Sequence, residues 1–530
     1  MAASRTQAMD APAAVVSGAV HRIEHHDGAY VVWRDAGVRG RVLVHIDAHH
    51  DLYGRWAAGK QHRLTIANYV YAALEQGFVR EVIWVVPDDT WRTRRGRRDI
   101  VRTLRQIDQG TPKKKPAIRM ETDWIISAAL GKPLHVCTAQ NLPQFNEDIL
   151  LDIDVDYLII PNIGYRDIDV YGGLPWCWPT DLLATLKARG IHTDLATIAY
   201  SVQGGYTPLQ WKYLGDELAQ RLQLSPQDLT WAESMRRAAE AASSGDFAAA
   251  EAHYLTAHDL LPEAAASWYH LAHLCAALGR VQEGRDYYRR AIDLDPSYRT
   301  AYNSAGFWYL WNHRRRQARR AFERTLRLDP DDAHAHLGLG LVAIREKAWA
   351  RAASSLQRAL ALDDRCVDAY RALGRLLARR HDHAAAIRAY ERSLKLTLSG
   401  QRALADDGAL GIGLDWTTPT DPEHHTIHAD LARLYAATGA YTPAIAGYRM
   451  AIAGGANTVG NQARLALLYA RTRRLGKGAR ALGQAATRVP RDLATWLKRR
   501  WRRLRRPGLE LRRKVIFRRQ LAESKPSMWV

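Results

Sequence analysis

Over the first 225 positions the apolar residues come in short continuous runs: Val42-Leu43-Val44, Val82-Ile83-Trp84-Val85-Val86, Ile149-Leu150-Leu151 and Leu195 to Ser201. Runs this short, bounded by polar residues or proline, predict strands buried on both faces, as in a parallel sheet. Between them Leu64, Ala67, Val70, Tyr71 and Leu74 recur at helical spacing and predict a helix that stops at Gly77, since glycine readily takes the left-handed conformation that ends helices. A further helix is predicted over 180–189, and Tyr30-Val31-Val32-Trp33 reads as an edge strand after a loop, Glu24-His25-His26-Asp27. Strands alternating with helices predict an α/β domain with a mainly parallel sheet over 20–225, after a flexible N-terminus at 1–19. Ligands of such sheets bind at the carboxyl ends of the strands.

From about residue 231 the pattern changes to an alanine-, leucine- and arginine-rich one with a period. Leu260-Leu261-Pro262, Leu294-Asp295-Pro296, Leu328-Asp329-Pro330 and Leu362-Asp363-Asp364 stand 34 residues apart, as do Gly245 and Gly279, and Ala318, Ala352 and Ala386. This period, with small residues at fixed offsets, is that of tetratricopeptide repeats, helix hairpins that bury their apolar faces on one another. The expectation is an all-α superhelix over 231–490, its repeats ending near 262, 296, 330, 364, 398, 455 and 490, with an insertion near 399–424. Its concave groove is expected to take a protein or peptide, and Trp268, Tyr269, Trp308 and Trp311 to serve first as packing residues.

Length and charge add to this picture. A chain of 530 residues is too long for one core. Of the net charge of +21, the last forty residues, 491–530, contribute 14 Lys/Arg against three Asp/Glu. There Leu493, Trp496, Leu497, Trp501 and Leu504 lie at helical spacing among arginines, which predicts a basic amphipathic helix. A cap on the superhelix, a contact with an anionic membrane and a contact with nucleic acid all remain open for it. The arginines from Arg92 to Arg98 read as solvated loops. Cys137, Cys177, Cys275 and Cys366 form no C-x-x-C pair, which fits a reducing, cytoplasmic setting. Neither a signal peptide nor a transmembrane helix is expected.

Two polar stretches carry the candidate chemistry. Asp47, His49 and Asp51 alternate directly after the run ending at Ile46, and Asp152, Asp154 and Asp156 alternate within an apolar segment. On a strand the latter share one face at intervals of about 7 Å. Carboxylates lined up beside a core repel one another and lose solvation, and a bound divalent cation removes both penalties. Asp with neutral His suits a cation of intermediate hardness.

His45 to Leu52, Ala67-Asn68-Tyr69 through Val82-Ile83-Trp84, and Leu151 to Tyr157 resemble the uncharacterised family UPF 0489. More distantly, D-A-H-x-D followed by D-x-D is similar to the paired manganese motifs of the arginase and ureohydrolase superfamily, whose fold histone deacetylases share. The resemblance covers about residues 20–225. It implies an arginase/deacetylase-like domain holding two Mn2+ ions, with Zn2+ or Fe2+ as substitutes: one on His26, Asp47, Asp51 and Asp154, the other on His49, Asp156 and the shared Asp47 and Asp154. It implies hydrolysis of a non-peptide C–N bond, with His50 or His62 moving protons and Asp152 and Gln203 facing the substrate. At Gln203 the ureohydrolase carboxylate is missing; a guanidinium then lacks its partner, so arginine is disfavoured. The alternative is a non-catalytic scaffold of repeats with a structural or vestigial ion.

Overall fold

The computed structural model describes residues 15–52, 64, 66–107, 116–163, 173–202, 206–223, 229–299, 305–406, 422–453 and 456–486. His62, Gln203, the centre of the expected insertion and the basic tail lie outside the described residues.

An eight-stranded sheet has the order β1-β8-β7-β2-β3-β6-β5-β4, formed by β1 (Val16–Ile23), β2 (Arg41–Ile46), β3 (Val79–Val85), β4 (Arg119–Met120), β5 (Ile125–Ala129), β6 (Lys132–Cys137), β7 (Ile149–Asp154) and β8 (Thr193–Ala199). Neighbours from β1 across to β6 are parallel, whereas β5 runs antiparallel to β6 and β4 to β5. The mainly parallel α/β domain expected from the runs is therefore present. β7 is buried along its whole length and β2 everywhere but Arg41, as central parallel strands should be.

Four local expectations differ. Arg92 and Arg94 to Arg98, read as solvated loops, lie in the helices Asp88–Arg92 and Arg94–Leu104. Tyr30 to Trp33 lie in the helix Gly28–Asp35, which buries Ala29 and Trp33 one turn apart; a four-residue apolar cluster does not by itself distinguish the two periods. The edge strand is instead Val16–Ile23, within the stretch read in part as a flexible N-terminus. Its residues are mostly exposed, so its sequence carries almost no pattern, and its backbone pairing to β8 defines it. Gly18 permits that pairing, because a Cβ there would stand 2.1 Å from the Asp194 carbonyl oxygen. Finally, β7 ends at Asp154 and Asp156 opens the helical turn Asp156–Ile159, so the three aspartates do not all share one strand face.

The second half is built from helix hairpins, among them Thr230–Ser244 with Phe247–Leu260, Ala265–Ala277 with Val281–Leu294, and Ala333–Arg345 with Trp349–Leu362. The 34-residue period is the packing itself. Ala250, Ala318, Ala352 and Ala386 have no exposed surface, and Gly284 stands at the same position of its repeat. Four residues further along each helix come Tyr254, Tyr288, Phe322, Leu356 and Tyr390, all buried. Gly245 and Gly279 turn between the helices with φ of +85° and +83°.

The first hairpins pack directly on the end of the α/β domain. The His270 ring lies 2.9 Å from the Gln210 carbonyl and donates Nε2–H to it, Tyr213 meets Trp231 and His270 edge-on, and Lys212 pairs with Asp295 at 2.6 Å. No described helix is long and apolar enough to cross a membrane.

Gly338 tests the packing rule. In an open helix Gly→Ala gains about 0.5–1 kcal/mol, but a Cβ at Gly338 would lie 2.2 Å from the ring of fully buried Phe322. Overpacking costs about 1–3 kcal/mol, so Gly338→Ala is expected to lower the stability read by chemical denaturation by about 1–2 kcal/mol. An unchanged midpoint would show that the ring yields freely.

Candidate metal centre

The register of the central strands assembles this cluster. β2 and β7 pair His45 with Asp152 and Ile46 with Ile153, so the next residue of each, Asp47 and Asp154, leaves the sheet side by side. On the other side of β7, Asp152 pairs with Thr197 and Asp154 with Ala199 of β8, and β1 ends beside Ala199. The turn after β1, closed by Gly28 N–H to His25 O at 2.9 Å, brings in His26. His26, Asp47, His49, Asp51, Asp154 and Asp156 thus meet at the carboxyl ends of neighbouring parallel strands, where such folds hold ligands.

Two layers are distinguishable. In the lower one Asp152, fully buried, accepts from His26 Nε2 at 2.9 Å, His45 Nδ1 at 3.1 Å, the Tyr69 hydroxyl at 2.7 Å and the Thr197 hydroxyl. Its oxygens are taken up by the protein, so the substrate-facing role expected of Asp152 is replaced by one of orienting two imidazoles. In the upper layer His26 Nδ1 stands 3.2 Å from Asp47 Oδ2, 3.2 Å from Asp154 Oδ2 and 3.4 Å from Asp51 Oδ2. His49 Nδ1 stands 2.9 Å from Asp156 Oδ2 and 3.3 Å from Asp47 Oδ1. Asp47 therefore turns one oxygen to each histidine.

The two loops repeat one device: Asp47 Oδ1 accepts the N–H of His49 at 2.6 Å, and Asp154 Oδ1 that of Asp156 at 2.9 Å. Ser201 donates to Asp154 Oδ2 at 2.6 Å, and Trp84 Nε1–H to the Asp47 carbonyl at 2.9 Å. Asp51 and Ser201 both hold positive φ, +47° and +53°, local strain of the kind that collects at functional sites.

The donor set fits divalent cations. Two donors about 2.1 Å from one ion stand about 3.0 Å apart at right angles and about 3.4 Å apart at tetrahedral angles. The carboxylate–imidazole contacts of the upper layer fall in that range. Asp47 Oδ2, Asp156 Oδ2, His26 Nδ1 and His45 Nε2 are buried without a hydrogen-bond partner, and among the described residues the ion-pair partners of these carboxylates are histidines alone. Two convergent sets result, His26-His45-Asp47 and Asp47-His49-Asp156, each with donor atoms within 4.8 Å of one another. The first is enclosed; the second opens outward at His49, whose side chain is 27% exposed and meets Tyr206 edge-on.

Electrostatics shows the strain of this crowding. Burial opposes charge on His26, yet the Asp152 carboxylate and the oxygens of Asp154 and Asp47 outweigh it and hold the imidazole well above the ordinary histidine range. Burial raises Asp51 to about 6, helped by the charge on Asp47, and pushes Asp156 well above the ordinary carboxylate range, helped by Asp154 and Asp47. His50 does not join the cluster as a proton carrier. Its Nδ1 accepts the Leu52 N–H at 2.9 Å, its ring packs on Trp84, and burial followed by the charges of His49 and His45 drives its pKa down to about 3. Sequence reasoning passed over His45, Tyr69, Thr197 and Ser201. Only the position of His45, two before Asp47 on one strand face, signals its part in advance.

A family model for tetratricopeptide repeats matches residues 235–299, 309–364 and 348–403. The helical region carries tetratricopeptide repeats. Among solved structures the chain is similar to MamA, with 18% identity, 36% of this chain and 96% of that chain covered, and a TM-score of 0.29. It is also similar to YrrB, titled a TPR protein with an unusual peptide-binding site (20% identity, 42% and 98% covered, TM-score 0.24), and to pilF of Pseudomonas aeruginosa (15%, 45% and 97%, TM-score 0.26). No curated protein matches the chain. The residues of the family match all belong to the repeats, so the resemblance of residues 20–225 to UPF 0489 and arginases rests on the motif residues themselves.

The repeats supply an instructive contrast. Glu251, Cys275 and Glu283 of two adjoining tetratricopeptide hairpins also converge within 4.8 Å, but Arg280 stands 2.7 Å from Glu251 and 3.4 Å from Glu283 and provides the positive charge. Burial pushes the Cys275 thiol up to about 11, away from the thiolate a metal requires. Among the described residues the sheet cluster has no such arginine.

Asp152→Ala removes the common acceptor of His26, His45, Tyr69 and Thr197. Breaking a buried charged network costs about 3–5 kcal/mol, and a loss of that size is expected in denaturant unfolding. A loss below about 1 kcal/mol would mean the four donors find other partners.

Proposed function

We propose that the α/β domain is a divalent-cation-dependent hydrolase of a non-peptide C–N bond and that the tetratricopeptide repeats, a protein-interaction module, bring it to a protein partner. One observation carries the reading: Asp47 divides its two oxygens between His26 and His49, with Asp51, Asp154 and Asp156 around them and no basic side chain among their described partners. Two divalent cations held by these residues would supply Lewis-acid chemistry, acidifying water and offsetting the negative charge that develops on the oxygen or nitrogen of the attacked group.

The residues around them perform the remaining tasks. His26, Asp47, Asp51 and Asp154 would hold a cation in the enclosed position, and His49, Asp156, Asp47 and Asp154 one in the outer position. Ser201 keeps Asp154 in one rotamer through its 2.6 Å bond, and Asp152 keeps the His26 ring turned so that Nδ1 meets the carboxylates. Access is from the His49 side, beside Tyr206, so a substrate approaches the outer position first.

A scaffold reading, in which the repeats supply the whole function and the ion is structural, draws support from the burial of the His26-His45-Asp47 set. Elemental analysis of the purified full chain, after dialysis against manganese, zinc or iron(II), tests the ion first. About two equivalents are expected in the wild type and none in Asp47→Ala/Asp154→Ala. An ion-free wild type would overturn the reading. Loaded protein that turns over none of a panel of amides, ureas and guanidino compounds would leave the ion structural and the scaffold as the function.

A further inference from the structure

His45 lies outside the ligand set that the motif resemblance implies, yet the structure treats it like His26. It is fully buried on β2, with no exposed surface. Its Nδ1 lies 3.1 Å from Asp152 Oδ2, the same oxygen that His26 Nε2 meets at 2.9 Å. Each N–H donates to that carboxylate, so the remaining nitrogen of each ring is turned to the opposite side, where the neutral imidazole has a lone pair to give a cation that displaces the proton. Those nitrogens, His45 Nε2 and His26 Nδ1, are both buried without a hydrogen-bond partner and, with Asp47, form one of the convergent sets.

A protonated His45 hydrogen-bonded to Asp47 is the competing explanation. The distance from His45 Nε2 to Asp47 Oδ2 is 3.4 Å, whereas charge-assisted N–H···O bonds close to about 2.7–2.9 Å. The separation instead matches two donors around one ion, about 3.0–3.4 Å apart. A carboxylate clamping a histidine from behind is the usual support of a metal-bound imidazole, and Asp152 clamps two.

We propose that His45 is a ligand of the enclosed cation position, which therefore takes two imidazoles, from His26 and His45, and selects zinc or iron(II) over manganese. The inference rests on the cation reading above. Imidazole suits zinc and iron, and replacing carboxylate by imidazole shifts preference away from manganese. The enclosed position then differs from the outer one, where His49 is the single imidazole beside carboxylates, and the pair is expected to load unlike ions.

The test titrates metal-free full-length protein with Co2+, Zn2+ and Mn2+ separately, following stoichiometry and the visible absorption of Co2+. In wild type one position is expected to bind Co2+ and Zn2+ more tightly than Mn2+. In His45→Gln that position should lose more Co2+ and Zn2+ affinity than the roughly 10- to 100-fold that removal of an outer-shell partner costs, with a changed Co2+ spectrum and a smaller effect on Mn2+. Unchanged affinity and spectrum in His45→Gln would overturn the role of His45 and leave the cation reading standing. A wild type that binds none of the three ions would overturn both. Should His45→Gln fail to fold, X-ray absorption on wild type loaded with two zinc ions decides: about three imidazoles per two zinc ions supports the proposal, and about two overturns it.

Discussion

Parallel pairing of β2 with β7 puts like charges next to one another, and the rest of the α/β domain answers to that. Neighbouring strands lie about 4.8 Å apart, so once His45 is in register with Asp152, Asp47 and Asp154 leave the sheet together. They cannot separate without breaking the two most buried strands of the sheet. Asp51 and Asp156 then join them from the following loops. Compensation comes from histidines on three sides: His26 after β1, His45 from within β2 and His49 from the loop after it. Among the described residues no lysine or arginine shares the task.

Asp152 makes this arrangement definite. A histidine can present either nitrogen, and two adjacent histidines without a common anchor would rotate freely among alternatives. One carboxylate bonded to both rings, and itself held by Tyr69 and Thr197, removes that freedom. Such networks stabilise when every member is satisfied and destabilise when one is lost. The strain of positive φ at Asp51 and Ser201 is borne by the same surroundings.

The repeats follow a different logic, in which apolar packing and not charge sets the geometry. Glycines on a neighbouring helix make room for the large buried side chains, Gly338 for Phe322, Gly340 for Leu356 and Gly374 for Tyr390, and Gly284 lets its helix approach the Ala272 backbone. Among the described residues most charges of this half lie at the surface or in pairs such as Arg280 with Glu251. The two halves meet within one continuous packing of Trp231, Tyr213 and His270, so the first hairpins are also a support of the α/β domain.

What the sequence determined by itself were the features that repeat or run unbroken. The buried strands from Val42, Val82 and Ile149 were legible because a two-sided parallel strand is apolar at nearly every position, and the repeats because one packing solution recurs at a fixed interval. The pairing of Asp47, His49 and Asp51 with Asp154 and Asp156 was legible as chemistry, since aligned carboxylates need a counter-charge wherever they fold. Tertiary structure alone decided the rest. The edge strand Val16–Ile23 is defined by its partner, and most of its residues are exposed, so its sequence carries almost no pattern. Asp152 was legible as acidic but not as a clamp, because its task depends on Tyr69, His26, His45 and Thr197, which approach it from four separate segments. His50 looked like a proton carrier beside two ligands, and the backbone turn that buries it against Trp84 removed that role. Local pattern encodes which face is apolar, whereas the direction of a polar side chain is settled only when neighbouring strands meet.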